Sequence, residues 1–209
     1  MEFAFTDDQE AFRDSVKRFV DEKSPTTEVR RLMAIEKGHD ENVWNTLSQE
    51  LALTGLIIPE EFGGAGFGAT ELGIVMEQFG RSLICTPYFS SSVMAASALL
   101  INGNRDTKNA LLPSIADGSK KLTLCVNEQS GLWDKQRIET KVIKNNDEYL
   151  MSGRKRFVVD AHVCDLLIVA GQSEGGLSLF VVDPAEDQVT IQLEQGIDET
   201  RKICTVDFN

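Results

Sequence analysis

The chain has 209 residues, 42% of them apolar and 26% charged, enough for one large domain or two small ones around a sizeable core. Its formal net charge of −12 excludes the basic surface that DNA, RNA or an anionic membrane requires. No apolar run approaches the roughly 18 residues that cross a bilayer, and the acidic start MEFAFTDDQE has no signal-peptide core. These features place the protein in the cytoplasm, or in an organelle matrix after loss of a transit peptide.

The first half reads as helical. Thr6 is an N-cap with Gln9 as its capping-box partner, and Ala11, Phe12, Val16, Phe19 and Val20 recur at helical spacing, which predicts a helix over 7–23. Ser24-Pro25 ends it. A second short helix is expected over 26–36. Asp40 caps the next, whose face carries Val43, Trp44, Leu47 and Leu51, with Gly55 as its stop. The segment LIIPEEFGGAGFG over 56–68 has four glycines but neither the Walker nor the dinucleotide spacing, so it reads as a structural turn rather than a phosphate loop. Thr70 is expected to cap a helix ending near Gly80-Arg81. The small residues of SSSVMAASALLI predict a central, buried helix over 90–102. Asn104 or Asp106 opens a last helix, which Pro113 is expected to kink or end early.

From Leu122 the apolar period changes from 3.6 to 2. Strand-like runs are Leu122–Val126, Ile138–Ile143, Tyr149–Met151, Arg156–Val159, Leu166–Ala170, 177–183, 188–193 and 202–208, with turns expected at Asn145-Asn146-Asp147 and Ser152-Gly153. Helices first and strands second predict an α+β protein: an all-helical domain over 1–120, then an antiparallel β-barrel-like or sandwich domain over 121–209. The chain stops at Asp207-Phe208-Asn209, inside a strand-like run, and so reads as a portion or shortened relative of a longer protein.

Chemistry is sparse. Cys85, Cys125, Cys164 and Cys204 are far apart and unpaired in spacing, the pattern of reduced, buried thiols. His39 and His162 lie in loops, and no nucleophile–base or metal motif occurs. The residues alone describe a protein able to hold a small molecule between its helical and β parts, without specifying a reaction.

The order and wording of the segments say more. FTDDQEAFRDSVKRFV, LALTGL, IPEEFGGAGFG, TELGIVMEQFGRSL, LLPSIADG and DEYLMSGRKRFVVDA, in that order, resemble the acyl-CoA dehydrogenase family over the whole chain. The resemblance implies a helical domain, a middle β domain and a C-terminal four-helix domain, of which this chain holds the first two. It implies FAD between the middle and C-terminal domains. It also implies a glutamate, usually C-terminal, that takes the α-proton of an acyl-CoA while the flavin accepts the β-hydride. No catalytic residue is therefore expected here, and the chain alone is expected to be inactive and to retain FAD weakly or not at all.

Two motifs carry the implied cofactor contacts. The pattern [Tyr/Ala]-x-[Val/Leu]-Thr-Glu-Pro-x-x-Gly-Ser-Asp falls on Leu124–Asp134, where Asn127 replaces Thr, Gln129 replaces Pro and Leu132-Trp133 replaces Gly-Ser. The pattern Lys-x-Trp-Ile-Thr-Asn falls on Lys155–Asp160, where Phe157 replaces Trp and Val159 replaces Thr. The implied cofactor-binding set is Leu124, Val126, Asn127, Trp133, Phe157, Val158 and Val159. Asn127 retains hydrogen-bonding capacity and Phe157 retains a ring to stack. Trp133 would fill space, and Val159 loses a hydroxyl that a backbone N–H would have to replace. GRSLICTPYF is similar to the branch acting on bulky acyl-CoAs such as steroid side chains, where unlike subunits assemble. The implied partners are an acyl-CoA, a flavin-linked electron acceptor and further subunits. Three readings stand: an active flavoenzyme with a divergent pocket, a degenerate subunit of a heteromeric complex, and a non-enzymatic assembly module.

Overall fold

Thr6 opens the first helix. Its Oγ1 accepts the Gln9 N–H at 3.2 Å, and Gln9 Oε1 accepts the Thr6 N–H at 3.1 Å, so two otherwise unpaired donors are satisfied at once. The computed structural model describes residues 4–131, 134–146 and 148–209. Helix α1 (Asp7–Lys23) turns Val16, Phe19 and Val20 inward. Helix α2 (Thr26–Met33) follows Pro25. Helix α3 (Glu41–Asn45) starts where Asp40 Oδ1 accepts the Asn42 N–H at 2.7 Å, and it widens into a π-turn over Thr46–Glu50. Trp44, buried in α3, donates Nε1–H to the Gly118 carbonyl at 2.8 Å, which ties the start of the helical part to its end.

The glycine-rich loop folds back on itself. Ala65, Gly66 and Phe67 donate their N–H groups to the carbonyls of Gly55, Ile58 and Leu56. A Cβ on Gly64 would drive into the Ile58 carbonyl, so this glycine serves a close backbone approach. Helix α4 (Ala69–Ser82) then begins two residues earlier than Thr70 as its N-cap would set it. Gly68 is its N-cap, and Glu71 Oε2 reaches back to the Gly68 N–H at 3.2 Å.

A π-turned segment, Phe89–Ala95, runs into helix α5 (Ala96–Asn102). This helix is central but not wholly buried, contrary to the sequence expectation. Its small residues Ser90–Ser92, Ala95 and Ala96 face the core, while Ile101 is 79% exposed. Helix α6 (Arg105–Ala116), capped by Asn104, continues three residues past Pro113. The ring removes one N–H donor, while the Pro113 carbonyl still accepts from Asp117 at 3.0 Å.

Among the described residues the β part has seven strands: β1 (Leu122–Cys125), β2 (Lys141–Asn145), β3 (Glu148–Val159), β4 (Leu166–Ser173), β5 (Gly176–Val182), β6 (Val189–Glu194) and β7 (Ile203–Phe208). They form one curled sheet in the order β1-β4-β2-β3-β7-β6, with β5 on the other edge of β4. Most pairs are antiparallel. β1 and β2 instead meet β4 in parallel, at Leu122↔Leu166 to Cys125↔Val169 and at Lys141↔Gln172.

Ser152-Gly153 is not a turn. β3 runs straight through it and changes partner there, from β2 at Ser152 to β7 at Gly153. Two expected strands are therefore one. A Cβ at Gly153 would lie 2.7 Å from Thr140 Oγ1, so the missing side chain lets the strand cross from one half of the sheet to the other. The hairpin turn at Asn146, with φ +57, joins the Asn145↔Glu148 pair.

The interface of helices and sheet is continuous. Leu99, Leu112 and Ile115 pack with Leu122 and Ile168, and Ser91 Oγ accepts the Leu122 N–H at 3.1 Å. All four cysteines are free and buried.

Candidate functional site

β1 leaves the edge of β4 after Cys125, and β2 takes up the same edge at Lys141. The residues that follow β1, Val126–Gly131, form one lip, and the irregular end of β3, hydrogen-bonded to them, forms the other. The register of β3 shifts between Lys155 and Val158, where Phe157 has φ +56. This bulge re-aims the strand.

Three side-by-side links join the lips. The Asn127 carbonyl accepts the Arg156 N–H at 2.9 Å. Lys155, with no exposed surface, donates to Glu128 Oε1 at 2.6 Å. Arg156 Nη1 donates to Gln129 Oε1 at 3.1 Å. Glu128 also accepts from the Thr140 N–H at 3.0 Å, the Thr140 hydroxyl at 2.7 Å and the Glu139 N–H at 2.7 Å. Burial pushes the Glu128 carboxyl up, but these donors more than reverse it and hold it below the usual range. Burial lowers Lys155, with Glu128 opposing. Surrounded only by donors, Glu128 is an ionised carboxylate and the pair is a buried ion pair.

The expected cofactor-binding residues separate in space. Leu124 and Val126 line an apolar cavity. Asn127 stands at the lip, and its Oδ1 is buried with no hydrogen-bond partner among the described residues. Phe157 is 48% exposed, with the Arg156 guanidinium 5.4 Å from its ring centre and Gly131 against its edge. The Val158 side chain lies in the core with Cys125 and Cys204, and the residue pairs with Cys204 of β7. The Val159 carbonyl accepts the Thr123 hydroxyl at 2.7 Å. Trp133, with Leu132 and Asp147, lies outside the described residues.

The cavity, about 950 Å³, is lined by residues of the helical part, β1 and β5. One wall is the stripe Phe89, Val93, Ser97 and Ile101, four residues apart along the π-turned segment and α5. The i, i+4 spacing was present in the sequence, but small residues on the opposite face obscured which side was buried. Leu177 and Leu179 of β5 form the facing wall, and Asp134 and Lys135 sit at the edge by the lip. A second cavity, also about 950 Å³, lies between Asn102–Thr107, the start of β3 and the end of β5, away from both lips.

Asp160 ends the second lip with φ +58 and is buried. Its Oδ2 is 2.7 Å from Ser90 Oγ. Burial pushes its carboxyl up to about 6, against the opposing effects of Ser90 and the Arg201 charge.

Comparison with known proteins places these features in a family context. The family model described as "Acyl-CoA dehydrogenase, N-terminal domain" matches residues 6–119. The chain is 32% identical over 124 residues to acyl-CoA dehydrogenase IpdE2 of Mycolicibacterium smegmatis, covering 59% of this chain and 38% of that protein. It is 31% identical over 144 residues to the caffeyl-CoA reductase-Etf complex subunit CarC of Acetobacterium woodii, covering 66% of this chain and 38% of that one. The match therefore spans well under half the length of these curated relatives. Among solved structures, the ChsE4-ChsE5 complex from Mycobacterium tuberculosis superposes with a TM-score of 0.85 at 23% identity, over 100% of this chain and 56% of that chain. An acyl-CoA dehydrogenase complexed with FAD from Bacillus anthracis gives 0.88 at 20% identity, over 98% and 36%. At these identities the structures establish the fold.

Proposed function

This chain belongs to the acyl-CoA dehydrogenase family, and from that premise we propose that its two lips and apolar cavity form one wall of a site for FAD and an acyl-CoA thioester, used for α,β-dehydrogenation. The observation that carries the reading is the buried Oδ1 of Asn127, without a hydrogen-bond partner among the described residues and next in the chain to the cavity-lining Val126. A buried polar atom without a partner is costly, and a ligand group that bonds it removes the cost.

The residues present fit the cofactor. Asn127 would hold it by a hydrogen bond, and the exposed ring of Phe157 would lie against its ring system. Leu124 and Val126 would bound the space beside it. Val158 and Val159 would offer main-chain atoms, and Trp133 enters on its place in the motif alone. Bound FAD supplies the acceptor for the β-hydride, chemistry that no side chain offers. Phe89, Val93, Ser97 and Ile101 would exclude water from an apolar acyl chain and orient it across the lips. Asp134 lines the cavity, but its Oδ1 caps the next turn by accepting the Gln136 N–H at 3.0 Å. The reading assigns the proton-abstracting base to none of these residues. An electron acceptor for the reduced flavin completes the turnover.

A second reading has its own support. Val159 brings no hydroxyl to the lip, and relatives include a ChsE4-ChsE5 complex and an Etf-complex subunit. Here the chain is a non-catalytic subunit whose site is completed, or replaced, by a partner. One experiment separates the readings. The purified protein is supplied with FAD, freed of excess and mixed with acyl-CoAs of increasing bulk. Flavin colour that an acyl-CoA bleaches, and that the cavity-filling Ser97→Phe variant keeps without bleaching, supports the enzyme. A protein that stays colourless alone, and gains flavin only with a second subunit, supports the other.

A further inference from the structure

Strand β5 is an edge of the sheet. On one side it pairs with β4 along its whole length, from Leu167↔Val182 to Ser173↔Gly176, with no shift of register. On the other side no strand pairs with it among the described residues. In an antiparallel pair, alternate residues turn their N–H and C=O groups away from the partner. The outer side of β5 therefore presents a row of backbone groups to a further strand.

Soluble proteins blunt such edges with lysine, proline or a bulge. The β5 sequence GLSLFVV has none of these. Leu177, Leu179 and Val181 alternate along it and are exposed. The surrounding charge has one sign within the chain: residues 157–200 contain nine aspartates or glutamates and no lysine or arginine. Glu174 and Asp183 stand just beyond the two ends of β5. The cavity that Val181 lines also carries Glu148, Asp183 and Glu186, and among the described residues no lysine or arginine lines it. Toward the middle and start of β5, cations come from other elements. Lys135 lines the other cavity with Leu177, and Lys144 lies over Tyr149, whose ring meets Phe180. The negative field is thus least opposed at the Asp183 end.

We propose that β5 is a docking edge for an extended segment of another polypeptide, with apolar residues at alternate positions and a basic residue where it meets Asp183. Main-chain bonds supply the affinity, the alternate apolar side chains cover Leu177, Leu179 and Val181, and the basic residue fixes direction. A second copy of this chain fits less well. Antiparallel β5–β5 pairing sets the Asp183 end of each copy against the Glu174 end of the other, acid against acid. Neither FAD nor an acyl-CoA is needed for this contact.

The test uses the full chain and three synthetic peptides, each acetylated and amidated. The first alternates valine and threonine with two lysines at either end, the second has glutamates in place of the lysines, and the third keeps the lysines but has a central proline. Calorimetry gives the affinities, and hydrogen exchange gives the place. The lysine peptide is expected to bind at least about tenfold more tightly than the other two and to protect β5 amides. Val181→Lys, a charge placed on the edge, is expected to weaken that peptide about tenfold, with circular dichroism checking its fold. Where the variant does not fold, the three peptides decide alone. Equal binding of the proline or glutamate peptide, protection away from β5, or a folded Val181→Lys protein that binds unchanged overturns the proposal. Concentration-dependent dimerisation that protects the same amides shows a second copy on the edge and overturns the choice of partner.

Discussion

Lys155 reaches Glu128 through the interior, 2.6 Å from nitrogen to oxygen, and clamps the two lips from beneath. Thr140 and Glu139 complete the carboxylate's shell. Replacing Lys155 with Met keeps the length of the side chain but strands a buried carboxylate. Removing one partner of a buried pair costs about 3–5 kcal/mol. Lys155→Met should therefore lower the urea midpoint with little change in slope. A loss below about 1 kcal/mol would show that the pair behaves like a surface ion pair.

Ser90 Oγ lies 2.7 Å from Asp160 Oδ2 and 2.9 Å from the Pro87 carbonyl. One hydroxyl proton cannot serve both acceptors. With Asp160 protonated, its O–H donates to Ser90 and Ser90 donates to Pro87, so all three oxygens are satisfied. Because the folded carboxyl titrates at about 6 rather than 3.8, its stabilising contribution is complete below 3.8 and is lost as pH rises through about 6. The loss is about 3 kcal/mol. Asp160→Asn donates to Ser90 at every pH. The variant should match the unaltered protein in acid, exceed it in melting temperature at neutral pH and lack that slope. Equal pH profiles for the two proteins would count against a buried proton at Asp160.

Gly63 and Gly64 are neighbours with different constraints. Gly63 has φ +82 and open space around it, whereas a Cβ on Gly64 collides with the Ile58 carbonyl. Gly63→Ala should cost about 1–2 kcal/mol from backbone strain alone. Gly64→Ala should cost more, about 3 kcal/mol, because backbone must move. Thermal melts of the two variants give the order directly, and the reverse order would show that strain outweighs the close approach.

Local chemistry was legible without coordinates wherever neighbours in the chain decide the outcome. The Thr6 capping box, the Asp40 cap, the switch from period 3.6 to period 2 at Leu122 and the turn at Asn146 depend on nearby groups. The wording of IPEEFGGAGFG and DEYLMSGRKRFVVDA carried the family. Two local inferences failed, and one helix ran on past its proline. Thr70 lost the cap to Gly68 because Glu71 reaches back. Pro113 sits inside α6 because the ladder resumes beyond it. Gly153 bridges two halves of the sheet because Thr140 occupies the space a Cβ would need.

The site was decided at longer range. Glu128 meets Lys155, Asn127 meets Arg156, and the cavity gathers Val93 and Ile101 with Leu177. Composition and period do not encode pairs so far apart in the chain. The sequence by itself determined that a helical half precedes a β half and which two motifs matter. Only the tertiary structure decided which atoms of those motifs are spent on one another and which, Asn127 Oδ1 and Arg156 Nε, have no partner among the described residues. The physical reason is that hydrogen-bond satisfaction belongs to the packed molecule: an atom is free or taken only once its spatial neighbours are in place.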